Sequence, residues 1–120
     1  MSSKQGWIGV DLDGTLAHYD EWRGIQHIGA PVAAMVDRVK RWLAEGREVR
    51  IFTARVSARS PAERSAAVLI IRDWCRENLG VALEVTHEKD FAMIELWDDR
   101  AVAVEANTGR ALNESRRGLG

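Results

Sequence analysis

An apolar run, Trp7 to Val10, opens directly onto Asp11-Leu12-Asp13-Gly14-Thr15-Leu16, and no other stretch constrains the chain as tightly. The run has the length and character of a buried strand. Residues two apart on a strand point the same way. Asp11 and Asp13 are therefore expected to crowd together at the C-terminal edge of the strand, where open α/β sheets bind ligands. Two crowded carboxylates repel each other unless a cation or a proton relieves them. Where every donor is a hard oxygen, Mg²⁺ is the usual answer. The plainer reading of the same residues is a surface turn, because Asp-Gly is a common turn dipeptide.

Downstream, strand patterns alternate with helix patterns. Strands are expected at about 7–12, 48–53, 81–86, 93–98 and 101–105, and helices at about 31–45 and 60–79. Pro31 suits the first position of the earlier helix and Gly46 its end, and Val32, Met35, Val36, Val39, Trp42 and Leu43 recur at helical spacing. The later helix opens on Ser60-Pro61-Ala62-Glu63, a capping box with proline at the first helical position, and stops at Gly80. Ala67, Ile70, Ile71, Trp74 and Leu79 form its apolar stripe, and Cys75 falls at core spacing. The alternation predicts a parallel sheet with helices on both faces, joined by right-handed crossovers.

The bulk properties narrow the class. At 120 residues the chain is expected to be a single domain, 1–120, with Glu114 to Gly120 as a mobile tail. The formal net charge of −1 gives no general pull toward nucleic acid or an anionic membrane. No apolar run reaches membrane-spanning length, and Met1 to Gly6 lacks the character of a signal peptide. These features fit a cytoplasmic protein with no membrane partner. A single cysteine excludes an internal disulfide, and three histidines without ligand spacing do not suggest zinc.

Asp11-Leu12-Asp13-Gly14-Thr15-Leu16 resembles the first motif of the haloacid dehalogenase (HAD) superfamily of phosphatases. Ile51-Phe52-Thr53 is similar to the second motif, Lys89 stands where the third places a lysine, and Leu96-Trp97-Asp98-Asp99 is similar to the fourth. The resemblance spans residues 7–105. It implies a Rossmann-like three-layer sandwich around a parallel five-stranded sheet of order 5-4-1-2-3. It also implies no cap domain, since the segment from Leu16 to Pro31 is too short for one and 54–88 is consumed by a helix and a strand.

What the resemblance implies chemically is Mg²⁺-dependent phosphomonoester hydrolysis through an aspartyl-phosphate. Asp11 would be the nucleophile. Asp13 would be the general acid and then the general base, and would offer its backbone carbonyl to the metal. Asp98 and Asp99 would complete the metal site, their order unranked. Thr53 would hydrogen-bond a phosphate oxygen, with backbone N–H groups near Leu12, Asp13 and Ala54 adding to it. Lys89 would neutralise phosphoryl charge. Gly14 permits the sharp turn, and Thr15 either supports the loop or is only a turn residue.

Arg55 either binds a substrate anion or pairs with a surface acid. The polar segment 17–30 holds His18, Tyr19, Trp22, Arg23 and His27. The resemblance makes it a flap over the site, where such groups stack on a ring or hold an anion; the alternative is that Trp22 packs on the sheet edge. Expected substrates are a nucleotide, a sugar phosphate or a polynucleotide end; the near-neutral charge argues against a nucleic-acid groove, which a local patch of Arg23, Arg55, Arg59 and Arg64 could still provide. An open site suits a large substrate or a cover supplied by a second copy in a homo-oligomer. The rival expectation is a non-catalytic phosphate-binding or regulatory module.

Overall fold

The computed structural model describes residues 6–57 and 60–112. It is an α/β fold in the order β1 (Trp7–Asp11), α1 (Ala33–Ala44), β2 (Glu48–Phe52), α2 (Pro61–Leu79), β3 (Glu84–Thr86) and β4 (Met93–Trp97). The strands form one sheet of order β3-β2-β1-β4, and every pairing is parallel. β1 is thus flanked by β2 and β4. Val10 lies beside Ile51 on one side and Trp97 on the other, so the C-terminal ends of three strands finish side by side.

Strand alternation sorts the side chains. Ile8, Val10 and Leu12 join Val49 and Ile51 on one face, where Met35, Val36 and Val39 of α1 and Ala67, Ile71, Trp74, Cys75 and Leu79 of α2 meet them in a single core. Trp97 extends this core onto β4, its ring edge-on to Trp42 at a centroid distance of 5.2 Å. Both helices therefore cover the same face. That follows from handedness: two right-handed crossovers stepping in one direction, β1 to β2 to β3, put both helices on one side.

Three expectations from sequence need correction. Among the described residues no helix covers the second face, so the three-layer sandwich is replaced by two layers. The return from β3 to β4 is only residues 87–92, too short to carry a helix and cross the sheet as well. On that face Trp7 is fully buried, stacked under the Arg50 guanidinium at 4.4 Å and donating its indole N–H to Asp90 at 2.8 Å. Next, the sheet has four strands rather than five. Residues 101–105 turn back on 110–112 instead, through one antiparallel bridge between Val104 and Ala111 and a hydrogen bond from Glu105 N–H to the Arg110 carbonyl of 2.8 Å. Asn107 and Gly109 supply the left-handed turn conformations (φ 66° and 80°) that make this local pairing available.

The third correction concerns the start of α1. Pro31 is not its first residue. Ala17 pairs antiparallel with Pro31, and Val32 N–H donates to the Leu16 carbonyl at 2.8 Å, which delays the helix to Ala33. The same bridge closes the base of the segment 18–30. The expected tail, Glu114 to Gly120, lies outside the described residues. No helix among the described residues is long and apolar enough to cross a membrane.

The capping box at α2 forms in full: Ser60 Oγ accepts from Glu63 N–H, and Glu63 Oε1 accepts from Ser60 N–H. Ser60→Ala removes one side of it and is expected to cost about 1 kcal/mol. In a domain of this size that lowers Tm by about 4 °C. Thermal unfolding followed by circular dichroism measures the change, and an unchanged Tm would show that this helix start does not depend on its cap.

Candidate functional site

A cavity of about 420 Å³ opens at the C-terminal ends of β1, β2 and β4, with Asp11, Asp13, Thr53, Ala54, Arg55, Asp98 and Asp99 all on its wall. The register explains the meeting. Val10 lies opposite Trp97, so the residues that follow each of them, Asp11 and Asp98, emerge as neighbours. Asp99 is drawn in by the first loop: its backbone N–H donates to Thr15 Oγ1 at 3.0 Å. The Thr15 hydroxyl in turn lies 3.4 Å from Asp99 Oδ1 and 3.5 Å from Asp11 Oδ2. Thr15 is therefore a positioning residue that ties the loop after β1 to the loop after β4, and not merely part of a turn.

Gly14 is required twice over. Its φ of +92° favours glycine, and a Cβ there would come within 2.6 Å of Asp99 Oδ2. The carboxylate of Asp99 occupies the volume that any larger residue would fill.

Asp11, Asp98 and Asp99 bring one carboxylate oxygen each within 4.8 Å of one another. The fourth acid does not join them. Asp13 turns to Arg55, which holds both of its oxygens at 2.8 Å through Nε and Nη2. Of the expected metal set of Asp11, Asp13, Asp98 and Asp99, three meet through their side chains, while Asp13, expected to offer its backbone carbonyl, has its side chain held by Arg55. An all-oxygen donor set of this kind fits a hard divalent cation. The crowding is visible electrostatically: burial above all, then the hydrogen bond with Asp99 and the charges of Asp98, Asp99 and Asp13, push the Asp11 carboxyl up to about 8.

Arg55 is neither a surface residue nor an open anion ligand. It is 6% exposed. Besides Asp13 it donates to the carbonyls of His27 (2.9 Å) and Ile25 (3.4 Å), and it packs under the Trp22 ring at 4.9 Å. The segment 17–30 is thereby fastened over the cavity, with Tyr19 and Trp22 on its wall. Trp74 of α2 anchors the same segment from behind, donating to the Gly29 carbonyl at 3.1 Å. Arg23 is occupied elsewhere, by Asp20 and Glu21. Thr53 is 3% exposed; its Oγ1 accepts from Arg55 N–H at 3.1 Å, which leaves its own O–H as a donor on the cavity wall.

Lys89 is not brought to this site. It lines a separate hollow with Arg50, Glu84, Thr86, Glu88 and Asp90. Its neighbour Asp90 is tied to Trp7 at the start of β1, four residues before Asp11, or about 13 Å at the rise of a strand. The short return from β3 carries Lys89 down the open face and away from the strand ends. In its place Arg100 lines the cavity. The sequence motifs assign Arg100 no place at the site; its position just after the paired acids is the available signal.

Two outcomes follow from this geometry. Asp11 holds its proton more tightly in the folded chain than in the unfolded one, with a value raised from 3.8 to about 8. Its contribution to stability is therefore complete below about pH 4 and is lost as pH rises through about 8. In EDTA, Tm should fall across this window by more in the wild type than in Asp11→Asn, and Mg²⁺ should remove the difference. Parallel pH profiles for the two proteins would contradict the crowding. For Arg55→Gln, loss of a largely buried partner of Asp13 should cost about 3 kcal/mol. Amide exchange in 18–28 should also accelerate beyond that of α2; uniform acceleration would argue against a specific hold on the flap.

No protein-family model matches the chain, and no curated protein matches it. A solved structure described as a conserved protein coded by a locus of Bacteroides thetaiotaomicron is similar in fold, with a TM-score of 0.52 and 20% identity, covering 81% of this chain and 78% of that one.

Proposed function

We propose that the chain is a Mg²⁺-dependent phosphomonoesterase of the HAD type, without a cap domain, acting through an aspartyl-phosphate on Asp11. The observation that carries this reading is the convergence of Asp11, Asp98 and Asp99 beside Thr53 in one cavity at the strand ends. Asp11, Asp98 and Asp99 would hold the cation, which supplies positive charge to the phosphoryl oxygens and favours the ionised form of Asp11.

The chemistry of the chain's own groups is then as follows. An Asp11 carboxylate oxygen attacks phosphorus in line, the P–O bond to the leaving group breaks, and the leaving oxygen takes a proton from Asp13. Water next attacks phosphorus, giving its proton to Asp13 and releasing phosphate and free Asp11. The Thr53 hydroxyl and Arg100 stabilise the charge that gathers on the phosphoryl group. Both Asp13 oxygens accept from Arg55, so Asp13 takes up its acid role by loosening at least one of those bonds.

That last contact, with the placement of Lys89 outside the cavity, favours a second reading: a phosphate-binding module without turnover. Activity separates the two. With Mg²⁺ the protein is expected to release phosphate from phosphomonoesters, to stop in EDTA, and to recover when Mg²⁺ is added back. Asp11→Asn should abolish turnover while the fold persists. Asp13→Asn should slow esters with poor leaving groups by about 10² to 10⁴-fold and p-nitrophenyl phosphate by much less. Phosphate binding without turnover across nucleotides, sugar phosphates and phosphorylated oligonucleotides would establish the second reading.

A further inference from the structure

The wall of the cavity mixes two kinds of chemistry: the acids, Thr53 and Arg55 share it with Tyr19, Trp22, Phe52, Ala54 and Arg100. Tyr19 and Trp22 are 43% and 49% exposed, a large apolar surface to leave at the mouth of an acidic site. Trp22 is also held before any ligand arrives, because the Arg55 guanidinium lies 4.9 Å from its ring centroid and is itself fixed by Asp13 at 2.8 Å. An aromatic group already fixed in place loses little rotamer freedom on stacking.

A polyol leaving group makes poor use of this aromatic surface, because its hydroxyls need matching donors and acceptors. A planar ring suits it: rings stack on aromatic faces, and Arg100 adds a cation that stacks or donates at the ring edge. The volume of about 420 Å³ falls within the range of pockets that take small molecules of this size.

We propose that Tyr19 and Trp22 form a ring-binding platform, and that the phosphate monoester taken by this cavity is a nucleotide in which the base stacks on them. This rests on the phosphomonoesterase reading for its chemistry but not for the binding itself. The test compares adenosine 5′-monophosphate with ribose 5-phosphate, which keeps the sugar and the ester and lacks the ring. In the wild type, kcat/KM should favour the nucleotide by about 10-fold or more, mostly through KM, as expected for one stacked base. The ratio should fall close to one in Trp22→Ala and be largely kept in Trp22→Phe. Because it is a ratio, a general loss of activity or folding does not move it.

Binding of the same two compounds to Asp11→Asn, measured by calorimetry, separates the two readings. Equal kcat/KM for both compounds overturns the platform and leaves the phosphatase standing, as does a preference that survives both Trp22→Ala and Tyr19→Ala. No turnover, with ring-dependent binding that requires Trp22, sinks the phosphatase and keeps the platform. Neither turnover nor ring-dependent binding overturns both. The same ring occurs at the end of a nucleic-acid strand: a 5′-phosphorylated dinucleotide that outcompetes the mononucleotide assigns the strand end as its source, and one that does not assigns the free nucleotide.

Discussion

Four carboxylates around one cavity cannot all remain uncompensated, and the molecule treats them unequally. Asp13 receives a bidentate guanidinium, the strongest protein partner a carboxylate can have. Asp11 and Asp99 share the Thr15 hydroxyl, Asp98 accepts from the Arg100 backbone N–H at 2.7 Å, and the three carboxylates crowd one another, so that Asp11 is driven toward its protonated form. Much of the local architecture can be read as the means of keeping these two groups apart. β1 and β4 lie adjacent and in register so that Asp11 meets Asp98. Gly14 makes room for Asp99, and the turn after β2 brings Arg55 to Asp13. This site is assembled against its own repulsion on a sheet whose core face is packed by both helices.

Arg55 has a cost and a consequence. A guanidinium that is 6% exposed must have its donors satisfied, and the chain satisfies them with the carbonyls of Ile25 and His27 as well as Asp13. The segment 17–30 is thereby ordered by the same group that orients Asp13. Flap position and acid orientation are mechanically one property, so a change in either is felt by the other. Trp22, stacked on that guanidinium, shares in the coupling.

How much of this was legible in the sequence depends on how local each feature is. The acids after β1, the paired acids after β4, the capping box at Ser60 and the helix stop at Gly80 are short-range signals, and each appears where its residues stand. The sequence leaves Arg55 between two alternatives because its partner is 42 positions away and nothing in its immediate neighbours marks it as buried. Only the resemblance, through order along the chain, points Lys89 to the site. Its true position depends on the path of a six-residue return, which the pairing of Asp90 with Trp7 and Arg50 decides. The fifth strand failed differently. Val102 and Val104 have strand character, but Asn107-Thr108-Gly109 is a turn signal, and local pairing across it competes with docking on β4.

The two-layer arrangement bears on the site as well as on the fold. With both helices on one face, Trp7, Gly9 and Asp11 point toward the other, and Phe52 of β2 stands on that same side, next to Asp11 in the ladder. Among the described residues the cavity is therefore bounded by the strand ends, the fastened flap and the edge of a sheet face on which no helix packs. An aromatic side chain such as Phe52 at that edge would in a three-layer fold be core. Here it lies on the cavity wall, beside the carboxylates. Among the described residues, the lack of a covering helix on that face leaves Phe52 as apolar surface on the same cavity wall that carries Tyr19 and Trp22.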